Sequence, residues 1–378
     1  MNGSNQSAGR CDEFHIAGDG IGLLGRVDPL LRRAPWIGAV LSVLATGPAS
    51  PGDPPKGSAA ESPRPSASLA TEVTPQQNEA IARGLAWLSS QQAENGAYGQ
   101  LSHYGPHVGI TGLCGLAFMS EGSVPGRGRY ADSVDKCLGF ILDHSTESGL
   151  LAAQTSHGPM YDHGFAALFL AEAHGMSRRP DLREKLRRAV RLIVNTQNNE
   201  GGWRYQPVRN DADISVTVCQ VMALRSARNA GIYVDKTVID AATEYVKASQ
   251  NPDGGFRYML DSGGSAFARS AAGVAALQYA GVYAGEEVER GLEYVVRFIP
   301  PQDQTVGHYF YGHYYAAQAM YLGGDRYWQR WWPAVRDELI EKQSADGSWR
   351  GQAGPEYGTA MALIILQMPN RLLTIFQK

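Results

Sequence analysis

Residues 83–98 read Arg83-Gly84-Leu85-Ala86-Trp87-Leu88-Ser89-Ser90-Gln91-Gln92-Ala93-Glu94-Asn95-Gly96-Ala97-Tyr98, and most of this pattern returns along the chain. In general form it is Arg-Gly-x-x-aromatic-aliphatic-x-x-x-Gln-x-x-x-Gly-x-aromatic. A later copy carries Arg188, Leu192, Ile193, Gln197, Gly201 and Trp203; another carries Tyr245, Val246, Gln250, Gly254 and Phe256; the last keeps Leu339, Gln343, Gly347 and Trp349. Two copies are worn, with Ser145 and Ile299 where Gln would stand. The six aligned positions (92, 145, 197, 250, 299 and 343) lie 53, 52, 53, 49 and 44 residues apart. Periods in this range mark stacked supersecondary units.

Each unit divides into two helices. The motif-bearing helix is amphipathic, as with Ala82, Leu85, Ala86 and Leu88, and ends in a glycine turn such as Asn95-Gly96 or Gly201-Gly202. The second is apolar throughout and rich in small residues, as in Ser270-Ala271-Ala272-Gly273-Val274-Ala275-Ala276-Leu277. Five second helices run into Gly122, Gly175, Gly231, Gly281 and Gly323, residues suited to a left-handed helix end. A helix apolar on every side is buried, so the second helices form an inner layer and the motif helices an outer one. Neither end of the array has an evident polar cap, which favours closure. The expected fold is all-α: a single α/α toroid of six hairpins over residues 75–378.

Ahead of it, residues 1–50 combine a polar stretch with Arg32-Arg33, an apolar run from Trp36 to Ala45 and small residues toward Ser50, the layout of an export signal. The run is too short to span a bilayer, which takes about 20 apolar residues. Export to the periplasm or exterior is the expectation; if the leader is not a signal, the protein is cytoplasmic. Residues 51–74 have the Pro, Ser and Ala content of a flexible linker. The formal charge of −3 on 378 residues, with no basic run, gives no reason to expect nucleic acid. The scattered cysteines form no CxxC and read as buried small hydrophobes.

In a toroid the N-terminal ends of the inner helices share one mouth. The residues at that phase are chemically loaded: His103, Tyr104 and His107; Tyr161, Asp162 and His163; Asp211, Asp213 and Ser215; Arg269 and Ser270; Tyr309, Tyr311, His313, Tyr314 and Tyr315; Glu356, Tyr357 and Thr359. Aromatic faces attract cations by roughly 0.5–2 kcal/mol, so the tyrosines suit a developing positive charge as well as a lipid, glycan or peptide. Aspartate at a helix start also has a plain structural use as an N-cap.

The repeat resembles the QW motif of squalene–hopene and oxidosqualene cyclases, and the array resembles the prenyltransferase/squalene-oxidase repeat superfamily. In that family the Gln and the aromatic are structural, which implies the same for Gln92, Gln197, Gln250, Gln343, Trp203 and Trp349. Asp211-Ala212-Asp213-Ile214-Ser215 resembles the Asp-x-Asp-Asp-Thr-Ala motif of class II terpene cyclases. The resemblance implies Asp213 as the acid that protonates an isoprenoid and Asp211 as its supporting carboxylate, with His163 or His313 as a further partner. Tyr161, Asp162, His163, Arg269, Tyr309, Tyr311, His313, Tyr314 and Tyr357, at the shared mouth phase, are the candidate substrate-binding residues. Ile214 replaces the third carboxylate of the motif, and squalene-type cyclases are similar to two joined toroids where this chain has one. Those departures keep open a non-catalytic module that binds a lipid, glycan or peptide. The zinc site of protein prenyltransferases needs an Asp-x-Cys pair that this chain lacks, so neither metal nor cofactor is expected.

Overall fold

The structure, a computed structural model, describes residues 73–153, 158–300 and 307–377. The chain divides into two units, Met1–Ser62 and Pro63–Lys378, and all the described residues belong to the second. The leader and almost all of the linker expected from the sequence lie outside the described residues.

Twelve α-helices and no sheet make up the described residues. The outer helices are α1 (Pro75–Ser90), α3 (Ala131–Asp143), α5 (Leu182–Thr196), α7 (Lys236–Ala248), α9 (Glu286–Val296) and α11 (Asp325–Glu341). Between them come the inner helices α2 (Val108–Glu121), α4 (Met160–Ala173), α6 (Ile214–Asn229), α8 (Phe267–Tyr279), α10 (Tyr309–Leu322) and α12 (Pro355–Leu366). Only one stripe of each outer helix is buried, whereas nearly every inner-helix residue is, as their compositions require. Each inner helix packs on the next, and α12 packs back on α2, so the six hairpins close into a toroid. Neighbouring inner helices run parallel: Gly109 of α2 faces Asp162 of α4, and three residues on Gly112 faces Ala166. Small residues at these contacts allow the close approach.

The motif side chains hold the outer ring. Gln92 Nε2 donates to the carbonyls of Gly96 and Ser133, Gln197 to those of Gly201 and Val238, and Gln250 to those of Gly254 and Glu287. Gln343 does the same to Gly347 and, across the seam, to Ala80 of α1 at 2.8 Å. Each glutamine thus ties off its own helix end and pins the next outer helix. Where the glutamine is absent, other chemistry takes over. Lys185 Nζ donates to the Leu142 carbonyl between α3 and α5, and Glu293 accepts from Arg326 and the Tyr327 hydroxyl between α9 and α11. The motif aromatics reach back ten residues, Trp203 Nε1 to the Ile193 carbonyl and Trp349 Nε1 to that of Leu339, both at 2.7 Å. Their backbone N–H groups donate to Thr217 and Thr359, so Thr359, at the mouth phase, is a structural residue.

Gln343→Ala removes both donated bonds and the one its Oε1 accepts from Arg83, and strands two carbonyls at the seam, at a cost of about 1–3 kcal/mol. The melting temperature of that variant should fall by several degrees in a thermal unfolding scan, and Gln343→Glu, which keeps the contact to Arg83 but cannot donate to the two carbonyls when ionised, should restore it only in part.

One helix end differs from expectation. Gly122, Gly175, Gly231 and Gly281 are left-handed, but Gly323 is right-handed (φ −68°) and Gly324 takes the positive φ of 92°. The side of the ring at the inner-helix C-termini is covered by the last residues of the chain. Leu373, Ile375 and Phe376 are buried there, and Glu172 at the end of α4 accepts from the backbone N–H groups of Thr374 and Ile375 and from the Ser226 hydroxyl. That leaves the N-terminal ends of the inner helices as the side on which to seek a site.

Candidate functional site

Asp213 is the N-cap of α6. Its extended backbone (φ −132°, ψ 157°) lets Oδ1 accept from the N–H groups of Ser215 and Val216, both at 2.9 Å. This is the capping role open to any aspartate at a helix start. The second oxygen is unusual. Oδ2 is buried and has no hydrogen-bond partner among the described residues; the nearest cation, Arg204, holds its Nε 3.9 Å away, beyond hydrogen-bond range. Burial pushes the carboxyl up to about 6, opposed by the capping N–H groups, Arg204 and the neighbouring Tyr258 hydroxyl. The residue therefore caps with one oxygen and leaves the other buried and unpartnered, on a carboxyl whose proton affinity is raised.

Asp211 does not support Asp213 as a paired carboxylate. It is more than one-third exposed and forms an ion pair with Nη1 of Arg204, and it takes no part in the rise at Asp213. The elevation is a burial effect and not like-charge repulsion.

Around Asp213 stands a group of tyrosines from four directions. Tyr161 on α4 and Tyr311 on α10 are raised by burial and by nearby groups that include Asp213. The Tyr311 hydroxyl donates to the Ser215 carbonyl at 3.0 Å. Tyr205 and Tyr258 share a hydrogen bond of 2.5 Å between hydroxyls, and the Tyr205 ring lies 6.0 Å from that of Tyr161. Arg204 lies over both loop tyrosines, 5.4 and 6.0 Å from their ring centres. Arg269 of α8 lies 6.0 Å from the Tyr258 ring and is anchored by Nη2 to the Gly264 carbonyl. Tyr357 of α12, buried and raised, faces Tyr104 and Cys219. Deeper in the ring, Tyr315 lies 3.2 Å from the Cys219 sulfur, and Tyr314 reaches Met222 Sδ at 3.5 Å.

The aromatic segment 309–315 does not act as one cluster. Tyr309 turns outward: its hydroxyl donates to Glu338 of α11 at 2.6 Å, with Lys342 over its ring. His313, one helical turn on, is packed between Phe267, Tyr309 and Trp331, and burial lowers it to about 3. His163 also turns outward, with Nδ1 accepting from Leu151 N–H and Nε2 donating to the Ala189 carbonyl of α5. It is lowered to about 4 and stays neutral. Neither histidine partners Asp213.

A second polar pair occupies the α2–α4 side of the mouth. His107 caps α2 with Nδ1 and donates from Nε2 to Asp162 Oδ1 at 3.0 Å. Glu356 of α12 accepts from the Leu101 N–H at 3.1 Å, which joins the last inner helix to the first loop. Among the described residues no three His, Cys, Asp or Glu side chains gather closely enough for a metal ion, and no helix is long and apolar enough to cross a membrane.

Arg204, Tyr205 and Tyr258 were not evident as site residues from the inner-helix phase alone. They sit on the turns that follow the outer helices, two residues or fewer past a motif aromatic: Tyr205 follows Trp203 as Tyr258 follows Phe256. That common offset from the repeat was the available signal.

Residues 163–305 match the prenyltransferase alpha-alpha toroid domain. Drimenyl diphosphate synthase from Streptomyces showdoensis is 28% identical over 137 residues, 35% of this chain and 24% of that protein. The corresponding enzyme of Streptantibioticus cattleyicolor is 36% identical over 135 residues, again 35% and 24%. The chain thus matches about a quarter of the length of these curated relatives. A variant of the type II terpene cyclase MstE from Scytonema, solved with geranylgeranyl dihydroxybenzoate as substrate, has the same fold at TM-score 0.54 and 13% identity, over 79% of this chain and 98% of that one.

Proposed function

We propose that this member of the prenyltransferase and terpene cyclase-like toroid superfamily binds a linear isoprenoid at the tyrosine-lined mouth and protonates it through Asp213. The observation that carries this reading is the free, buried Oδ2 of Asp213 on a carboxyl held near 6. A capping aspartate needs neither an unsatisfied oxygen nor an elevated proton affinity, and a buried polar atom left without a partner costs about 1–3 kcal/mol. Such a cost is expected where the group has chemistry to perform.

In the proposed reaction Asp213 donates its proton from Oδ2 to a terminal double bond, and the carbon skeleton closes on the cation so formed. Tyr161, Tyr258 and Tyr311 offer π faces and neutral hydroxyls to that charge; all three resist ionisation in this setting. Their contribution to a passing cation is roughly 0.5–2 kcal/mol each. The cyclised cation then loses a proton from an adjacent carbon to form a new double bond and Asp213 takes a proton back, so the net change is an isomerisation.

The purified protein should convert a linear prenyl diphosphate, squalene or a geranylgeranyl-substituted dihydroxybenzoate into a cyclic isomer of the same mass, read by chromatography with mass spectrometry. Saturable binding of these compounds with no isomer formed would leave a lipid-binding module in place of an enzyme.

A further inference from the structure

The arrangement of Arg204 calls for an explanation. A guanidinium that approaches a buried carboxylate normally donates two parallel hydrogen bonds to it, and here Asp213 offers an oxygen with no other partner. Yet the Nε of Arg204 stops 3.9 Å from that oxygen and itself has no hydrogen-bond partner among the described residues. What the guanidinium engages instead is Asp211, through Nη1. Asp211 sits two residues before Asp213 and is the more exposed of the two carboxylates.

We propose that Asp211 is a positioning residue: by holding Nη1 of Arg204 it keeps the guanidinium from closing on Asp213, and so leaves Oδ2 open toward the tyrosines. The inference deepens the reading of Asp213 as an acid and rests on it for its purpose, though not for its geometry. Asp211 also neutralises Arg204, so that the charge beside Asp213 is that of an ion pair and not of a lone cation. A lone cation at this distance would favour the carboxylate strongly and remove the proton the site needs.

The other groups that face Asp213 supply no second adjustable charge, although the Tyr258 hydroxyl also lowers its carboxyl. Tyr161 comes from α4, Tyr311 from α10, Tyr245 from α7, Cys219 from α6 and the Tyr205–Tyr258 pair from the two loops; burial disfavours ionisation of every one. Arg269 from α8 is the one other cation among them, and its Nη2 is committed to the Gly264 carbonyl. The Arg204–Asp211 pair is therefore the adjustable charge at Asp213.

The test is a titration of the Asp213 carboxyl by carbon-13 NMR in the full chain, with Asp213→Asn used to assign the resonance. In Asp211→Asn the released Arg204 should pull the Asp213 midpoint down by about one pH unit or more. Arg204→Gln should move it up, and the Asp211→Asn/Arg204→Gln double variant should return it to the wild-type value or above. Asp211→Glu, which can still engage Nη1, should titrate close to wild type. An Asp213 midpoint that stays in place or rises in Asp211→Asn overturns the proposal, as does one that fails to rise in Arg204→Gln. Should the midpoints move as stated while wild type isomerises none of the isoprenoids above, the positioning role of Asp211 stands and the cyclase reading falls.

Discussion

Asp213→Asn is expected to cut isoprenoid turnover by about 10²–10⁴-fold, the usual contribution of a positioned proton donor, and to leave the protein at least as stable as wild type at neutral pH. The two effects have one origin. Asparagine can still accept from Ser215 and Val216 through its amide oxygen, so the cap of α6 is retained. What is lost is the titrating oxygen. The carboxyl is raised in the folded protein, from 3.8 to about 6. Its stabilising contribution is therefore full below pH 3.8 and is lost as pH rises through 6. At pH 7, where both folded and unfolded forms are mostly ionised, that shift costs the folded state on the order of 3 kcal/mol of stability relative to low pH. Asn escapes that cost. Urea unfolding should show the variant ahead of wild type at pH 7, and the difference should shrink as pH falls from 6 toward 4. A variant markedly less stable than wild type at pH 7 would mean that the charge on Asp213 is structural, and the loss of turnover would then say nothing of an acid.

The largest stability effect is expected at Gly201→Ala, more than about 3 kcal/mol. Gly201 has φ +95°, and a methyl group there would land on the backbone carbonyl of Ala241 in the next outer helix. The left-handed backbone alone costs an ordinary residue about 1–2 kcal/mol, and the clash is with main chain that is pinned by Gln197 at Val238. Gly96, Gly149, Gly254 and Gly347 occupy the same relation to Lys136, Arg188, Arg290 and Arg83. Gly231 is the control. It has φ +77° but nothing within 4 Å of a built side chain, so Gly231→Ala should lose only the backbone term. A calorimetric comparison of the two variants separates conformational strain from collision. Equal losses would mean that the Gly201 turn yields and that the outer helices are less tightly keyed than their contacts imply.

Much of the fold was legible because the period of the motif carries its own geometry. A glutamine four residues before a glycine can tie off its helix end and still reach the next helix, and the pattern repeats wherever that joint is used. The joints at Ser145 and Ile299 were not legible, because Lys185 comes from the next outer helix and Glu293 from within the preceding one, and they obey no fixed offset. At the site, Asp213 was readable as both cap and acid. The tyrosine run was misleading as a unit, since a helix turns about 100° per residue: positions 309 and 313 share one face, whereas 311, 314 and 315 look the other way. Asp211 beside Asp213 reads as a carboxylate pair until Arg204 is seen, and the ion pair of Arg204 with Asp211 spans seven residues of a turn that the helical pattern does not describe.

The seam between the last and first hairpins bears on how the chain is made. Gln343 and Ala80, which join α11 to α1, are 263 residues apart, and Gln77 reaches Leu366 across 289. During synthesis α1 and α2 emerge first and α12 last, so the apolar flank of α2 destined for α12 has no partner until nearly the whole unit has been translated. A helical protein whose other contacts are mostly within a hairpin or between neighbouring hairpins thus acquires one step with the long loop closure typical of β-barrels. Folding should therefore run quickly through an open arc of hairpins and then slowly through the joining of its two ends. The exposed flank of that arc is the part of the nascent chain most in need of a chaperone.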